Sequence, residues 1–199
     1  MTDLKFFNRW DAGKVTVKDR GLVNYVSVEP RIMPKTGARY THTRFHKVST
    51  FIVERLAAKL MNTGHKGKKH FMSSGHNTGK KNLALRTVED ALALAEKRVK
   101  DNPLAILVRA VENAAPREEV IAIEYGGARY PKAVDVSPQR RVDLALRAIT
   151  QGAYLRSFNK KLKIAEALAD EIVFAAQSSG KSTAISKKRD LERQASSSK

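Results

Sequence analysis

Residues Glu119 to Arg141 constrain this chain most, because they spell a β-hairpin inside a sequence whose other legible patterns are helical and basic. Ile121, Ile123, Tyr130, Val134 and Val136 are β-formers placed around Gly126-Gly127, a pair that reaches positive φ at both centres of a two-residue turn without steric cost. That turn fixes the register. Tyr125 faces Ala128, Glu124 faces Arg129 and Ile123 faces Tyr130, giving one opposite-charge pair and one aromatic to β-branched pair across the strands. The second strand runs into Ser137-Pro138-Gln139-Arg140-Arg141, where serine then proline reads as the N-cap and first residue of a new helix. Arg140 and Arg141 fall in its first turn, where the helix dipole favours acids. The pattern therefore asks for an anion, most simply a phosphate, with ion pairing to Asp143 or other acids of the fold as the alternative. A two-stranded ribbon is marginal by itself in water, so the hairpin, residues 119–136, is expected to lean on something outside this chain.

Charge narrows what that something is. The chain has 38 Lys and Arg against 20 Asp and Glu, a formal charge of +18 over 199 residues. Such a balance points to a polyanion. Residues 31 to 81 hold 12 basic and 1 acidic side chains, whereas residues 82 to 128 hold 6 basic and 8 acidic, so the charge sits on faces of a folded body and not on a uniform tail. At 42% hydrophobic residues there is material for one modest core, and the length fits one domain with extensions. The absence of cysteine excludes disulfides and thiolate metal sites and agrees with a reducing compartment. Charges interrupt the apolar residues of Met1 to Trp10, which does not read as a secretory signal, and no span approaches the roughly 20 apolar residues of a membrane helix. No membrane partner is expected, and the expected location is the cytoplasm.

Residues 1–46 read as an irregular N-terminal extension with weak strand candidates at Val15-Thr16-Val17 and Tyr25-Val26-Ser27-Val28, and residues 47–199 as a helical domain. Val48, Ile52, Leu56 and Leu60 recur at steps of four and predict a first helix of about four turns, stopped by Thr63-Gly64. His65 to Lys81 is a loop by composition. Leu85, Val88, Leu92, Ala95 and Val99 mark a second helix, and Asn102-Pro103 opens a third with the face Leu104, Leu107, Val108 and Val111. After the hairpin, Val142, Ala145, Leu146 and Ile149 form a fourth helix expected to fade around Gly152. Ala165, Leu168, Ala169, Ile172 and Ala176 form a fifth, and a basic sixth starts near Ser182 with too few apolar residues to build a core by itself. The fold class is mainly α: an irregular bundle of about six helices with a protruding hairpin between the third and fourth.

Within this order the sequence carries specific wording: Ile52-Val53-Glu54-Arg55-Leu56, Gly79-Lys80-Lys81, Asn102-Pro103-Leu104, Pro116-Arg117-Glu118 and Ala133-Val134-Asp135-Val136-Ser137-Pro138-Gln139-Arg140-Arg141-Val142. Ile164-Ala165-Glu166, Leu168-Ala169-Asp170-Glu171 and Ala184-Ile185-Ser186-Lys187-Lys188 follow. Together, from about Phe6 to about Ala195, they resemble the small-subunit ribosomal protein seven family, the counterpart of eukaryotic small-subunit protein five. Lys5-Phe6-Phe7-Asn8-Arg9-Trp10 and the stretch from Arg39-Tyr40 to Arg44-Phe45 resemble its archaeal and eukaryotic branch, and His65 to Asn77 is longer than the family's usual connection. The resemblance implies a primary binder of small-subunit ribosomal RNA in the 3′ major domain that organises the head of the subunit. It also implies a hairpin and C-terminal helix near the exit-site transfer RNA and the messenger RNA path, and small-subunit proteins nine, eleven and thirteen as neighbours.

The candidate RNA contacts are Arg39, Arg44, Lys47, Lys68, Lys69, Lys80 and Lys81 in the acid-poor stretch; Arg117 just before the hairpin; Arg129 and Tyr130 on it; Arg140 and Arg141; and Lys187, Lys188 and Arg189 in the last helix. The bland alternative for each is a solvated or internally paired side chain. Arg129 and Tyr130 are equally well read as ordinary ribbon side chains or as a clasp for phosphate and unpaired bases. Ala175 to Ser182 has the spacing of a phosphate-binding loop with alanine in place of its first glycine, but a helical pattern precedes it where that mechanism needs a strand. His42 and His46 have i, i+4 zinc spacing without the motif's glutamate or a third ligand, so no cofactor is expected. The chain reads as a non-enzymatic RNA-binding protein. Its rivals are an architectural DNA-binding protein, which needs an apolar wedge and a dimer face, and a nucleotide hydrolase, which rests on Lys181 alone.

Overall fold

Helix α5 (Ile164–Ala176) is apolar around most of its circumference, the pattern of a helix surrounded by protein. Leu168, Ala169, Ile172 and Ala175 are fully buried. The helix packs against α2 (Lys81–Val99), α3 (Pro103–Ala114) and α4 (Pro138–Ser157). Helices α1 (Ile52–Leu60) and α6 (Thr183–Ser196) complete six among the described residues. In this computed structural model the described residues are 5–13, 15–29, 32, 35–37, 41–66, 69–70 and 75–199.

Several helix boundaries lie where the local chemistry puts them. Asn102 caps α3 by accepting the Leu104 N–H at 3.0 Å, with Pro103 at the first helical position. Ser182 caps α6 by accepting from Ala184 and Ile185 at 3.2 and 3.3 Å. Proline also opens α4, yet the Ser137 side chain makes no capping bond.

Two helices differ from expectation. The first begins at Ile52 and not at Val48, because 41–51 is a series of turns. Ser49 and Thr50 donate their hydroxyls to the His46 carbonyl at 3.2 and 3.3 Å, and Phe45 sits at φ 56°. Such local bonds offer the backbone an alternative to the helix. The fourth helix does not fade at Gly152 but continues to Ser157. Glycine is there for proximity: a Cβ at Gly152 would lie 2.8 Å from the Glu171 carboxyl carbon and 2.9 Å from Thr183 Cβ.

The N-terminal segment is sewn into the body. Strands β1 (Lys5–Phe6) and β2 (Trp10–Asp11) pair antiparallel, and Phe6, Trp10, Ala12, Leu22 and Val26 join the helical core. Phe6 stacks 5.2 Å from Trp10 and 5.7 Å from Phe51, the Trp10 indole donates to Glu96 at 2.8 Å, and Lys18 N donates to Glu112 at 2.6 Å. Neither weak strand candidate forms one. Residues 15–17 are irregular, Val23–Tyr25 is a 3-10 turn, and Ser27 makes a lone bridge to Phe51. The basic loop before α2 contains a two-residue ladder, β3 (His65–Lys66) on β4 (Lys69–His70).

The hairpin β5 (Glu118–Tyr125) and β6 (Ala128–Asp135) has the expected register through Ile123↔Tyr130, Glu124↔Arg129 and Tyr125↔Ala128, with Gly126 and Gly127 at φ 57° and 78°. Its lower half leans on the chain itself, on α6. Glu192 accepts the Arg117 N–H at 3.1 Å, Ser198 O accepts from Ala133 at 3.4 Å, and Lys199 reaches Glu118 at 2.8 Å. Among the described residues nothing in the body covers its outer half, from Ile121 to Lys132, where every residue is exposed.

Candidate nucleic-acid interface

Arg140 and Arg141 are neighbours in sequence with different surroundings. The Arg140 guanidinium forks onto the Glu119 carboxylate at the hairpin base, with contacts of 2.7, 2.8 and 3.0 Å, and that bonding raises its already high pKa. The pair remains at the surface. Arg141, one residue further around the helix, points inward and is 8% exposed. It donates to Asp19 at 2.8 Å and to the Pro116 carbonyl at 3.2 Å, tying the N-terminal segment to the α3–β5 junction. Burial opposes ionisation of Asp19, but the Arg141 guanidinium, the Gly21 N–H and the charge of Arg117 together outweigh it, and the carboxyl lies below its ordinary pKa. Arg141 is thus an internal tie, and its partners, the Asp19 carboxylate and the Pro116 carbonyl, are distant in sequence.

Asp143, one turn into α4, is the centre of a second arrangement. Lys47 stands 3.3 Å from it, Arg55 3.6 Å and Lys59 3.6 Å, drawn from the turns before α1 and from α1 itself. Burial raises the Asp143 pKa, yet Lys59, Lys47 and Arg55 together hold it below the ordinary carboxylate value. Arg147, one turn further along α4, lines the same cleft with Arg140. Lys47 and Arg140 are therefore brought to one face with three cations that sequence reasoning passed over: Arg55, Lys59 and Arg147. A signal for them existed, since Arg55 and Lys59 are i, i+4 on one helix, and Arg140, Asp143 and Arg147 share a face of the other.

The remaining candidates are dispersed. Arg44 is exposed in the turn region, Arg39 and Lys68 lie outside the described residues, and Lys69 belongs to β4. Lys81 pairs with buried Glu54, which also accepts from Thr36 N and Oγ1 at 2.9 Å each, while Lys80 beside it reaches His76 at 3.3 Å. At the hairpin tip Arg129 lies 3.6 Å from Glu124, and Tyr125 and Tyr130 are 81% and 56% exposed. Arg117, also exposed, sits at the hairpin base. In α6 the basic triplet spends its donors locally. Lys187 bonds Gln151 at 2.9 Å, Lys188 bonds the Asn113 carbonyl at 2.9 Å, and Arg189 bonds the Ser178 carbonyl at 3.3 Å. Burial lowers the Lys188 pKa, a second sign that this amine belongs to the fold.

The phosphate-loop spacing at Ala175 to Ser182 follows α5, not a strand. The Ser182 hydroxyl donates to buried Glu171 at 2.8 Å, and Ala184 N reaches the same carboxylate oxygen at 3.0 Å. The loop is a helix connector. His42 and His46 lie in turns, so their spacing does not place them on one helical face. Among the described residues no helix is long and apolar enough to cross a membrane.

Comparison with known proteins gives a consistent result. Residues 23–199 match the family described as Ribosomal protein S7p/S5e. The small ribosomal subunit protein uS7 of Nanoarchaeum equitans is 51% identical over 196 residues, covering 98% of this chain and 99% of that protein. The uS7 proteins of Methanothrix thermoacetophila and Archaeoglobus fulgidus are 45% and 43% identical, covering 96% and 99% of this chain and 97% and 96% of theirs.

Proposed function

Because this chain belongs to the Ribosomal protein S7p/S5e family, we propose that it serves as a structural, non-catalytic constituent of the small ribosomal subunit, in translation, and holds ribosomal RNA through its basic faces. The observation that carries this reading beyond the family is the gathering of Lys47, Arg55 and Lys59 around a single carboxylate at the α1–α4 wall, with Arg147 lining the cleft beside them. Uncompensated cations repel one another, and phosphates that displace counterions relieve that repulsion. The target is the 3′ major domain, where the protein organises the head as a primary binder. Small-subunit proteins nine, eleven and thirteen are its neighbours. The exposed hairpin tip reaches toward exit-site transfer RNA and messenger RNA, with Arg129 and Tyr130 offering a charge and a ring for phosphate and unpaired bases. The body holds and the ribbon reaches. Location follows from assembly, in cytoplasmic ribosomes.

The test is sedimentation of the tagged protein with small subunits, followed by crosslinking. Crosslinks to the 3′ domain of the RNA support the reading. A protein that stays at the top of the gradient, or crosslinks elsewhere, overturns it.

A further inference from the structure

The ribbon divides at one rung. Glu118, Glu119, Val120, Ala133 and Val134 are half-buried, whereas Ile121 to Lys132 are exposed, so support ends between the cross-strand pairs Val120↔Ala133 and Ile121↔Lys132. Two helices hold the lower part. Successive side chains of a strand point to opposite faces, which sends the neighbours Glu118 and Glu119 to different partners. Lys199, just past α6, donates to Glu118 at 2.8 Å, and Arg140 of α4 donates to Glu119 at 2.7 Å. Between these ion pairs the ribbon backbone is fastened to α6 and the residues after it at two heights. Glu192 accepts the Arg117 N–H at 3.1 Å just below β5, and the Ser198 carbonyl accepts the Ala133 N–H at 3.4 Å, on the last supported rung.

Helix α6 itself contributes little to the core, burying Ala184, Ile185 and Ala195 along 14 residues. Its first half is nevertheless tied to the body. Ser182 and the Ala184 N–H bond buried Glu171, Lys187 bonds Gln151, and Lys188 bonds the Asn113 carbonyl. The helix therefore runs as a fixed rod from the body to the ribbon. The two ion pairs at the ribbon are exposed, with the Lys199 and Arg140 side chains 60% and 55% accessible, so they add little to stability. Direction is a different matter. A strand of eight residues is about 27 Å long, and a tilt of about 10° at its base moves its tip by about 5 Å, so weak contacts at the base govern a large displacement at the end.

We propose that α6 is a strut that aims the ribbon, with the Glu118–Lys199 and Glu119–Arg140 pairs as opposed stays that fix the direction in which its outer half projects. The device lies in the free chain and is independent of what the tip touches; its use in the subunit rests on the reading of the tip given above. Each stay draws the ribbon toward its own helix, and the Glu192 and Ser198 contacts set the pivot between them.

The chain has no cysteine, so the full protein can carry two spin labels at chosen places: Ala128→Cys at the tip and Ser186→Cys near the start of α6, both exposed. Double electron–electron resonance should give one narrow distance peak. Lys199→Gln and Arg140→Gln should each displace it, by up to about 5 Å and in opposite directions, because each leaves the other stay pulling alone. Glu118→Lys combined with Lys199→Glu should return the peak to its place, since an ion pair works with its charges exchanged. A broad peak in the parent protein, peaks that stay put in both single variants or move the same way, or an exchanged pair that fails to restore the peak each overturn the strut. Subunits rebuilt with Lys199→Gln should retain exit-site transfer RNA less well than with the parent chain, but better than with the ribbon removed. Unchanged retention alongside displaced peaks leaves the strut standing and overturns the reading of the tip.

Discussion

Ile149 on α4 is completely buried, while Ile123 on β5 is 42% exposed and Tyr125 beside it 81%. Both regions are rich in large apolar side chains, and both were legible from their periodicity. The difference lies in what packs against them. The α4 stripe meets α5, α3 and α1, whereas among the described residues the outer half of the ribbon meets nothing in the body and is held by its own ladder and by α6 at its base. A substitution in the first region acts on folding. One in the second acts on reach.

The largest effect expected from this contrast is in the body. Leu146→Ala removes a fully buried side chain and should cost about 3 kcal/mol, which calorimetry would register as a midpoint lowered by about 6 to 12 °C. A shift of a degree or two would mean that α4 is no more essential than the ribbon. Next comes Gly152→Ala, where the added methyl meets Glu171 and Thr183 at under 3 Å; a loss of about 2 kcal/mol in urea unfolding is expected, and an unaffected variant would show that α4 and α5 can part cheaply.

The two arginines sharpen the comparison within a single helical turn. Arg141→Gln should cost about 1 to 2 kcal/mol at pH 7, because it strands Asp19 and the Pro116 carbonyl, while Arg140→Gln should cost under about 1 kcal/mol, as exposed pairs do. Asp19 has a folded pKa below its unfolded value, so its pairing stabilises the fold above about pH 4 and is lost as the pH falls through the folded value. The gap between wild type and Arg141→Gln should therefore be full at pH 7 and shrink as the pH falls below about 4. Equal costs for the two variants would erase the distinction between inward and outward arginine.

The smallest effect on stability should come from the most drastic edit. Replacing Ile121 to Lys132 with a short Gly-Ser linker should leave unfolding cooperative, with a midpoint within about 2 °C of the original, since a ribbon of this kind contributes little by itself. Subunits rebuilt with the trimmed protein should retain exit-site transfer RNA or messenger RNA less well. Loss of cooperative unfolding would make the ribbon part of the core and end the contrast.

Much of the architecture was open to sequence reading because the signals are local. Gly126-Gly127 sets the hairpin register, Asn102-Pro103 and Ser182 open helices through their own backbone bonds, and the three- and four-residue spacings mark the buried faces. The readings that failed were those in which a local signal was overruled by a partner far along the chain. Gly152 reads as a helix stop by itself, but Glu171 and Thr183 lie against it, and Val15 to Val17 reads as a strand although no strand pairs with it among the described residues. The candidate site was legible in part. Lys47 and Arg140 stand out in the sequence as candidate contacts, whereas Arg55 and Lys59 ride on a helix whose apolar stripe dominates its pattern.

The sequence by itself determined the basic character, the six helices, the hairpin and the family, since each depends on residue type and on spacings of a few positions. The tertiary structure decided how the charges are spent: Arg141 on Asp19, Arg140 on Glu119, Lys188 on Asn113, and Arg55 with Lys47 and Lys59 around Asp143. The physical reason is range. Helix and turn propensities act over about one helical turn, whereas whether a cation meets a carboxylate or faces solvent depends on which distant segment the core brings beside it.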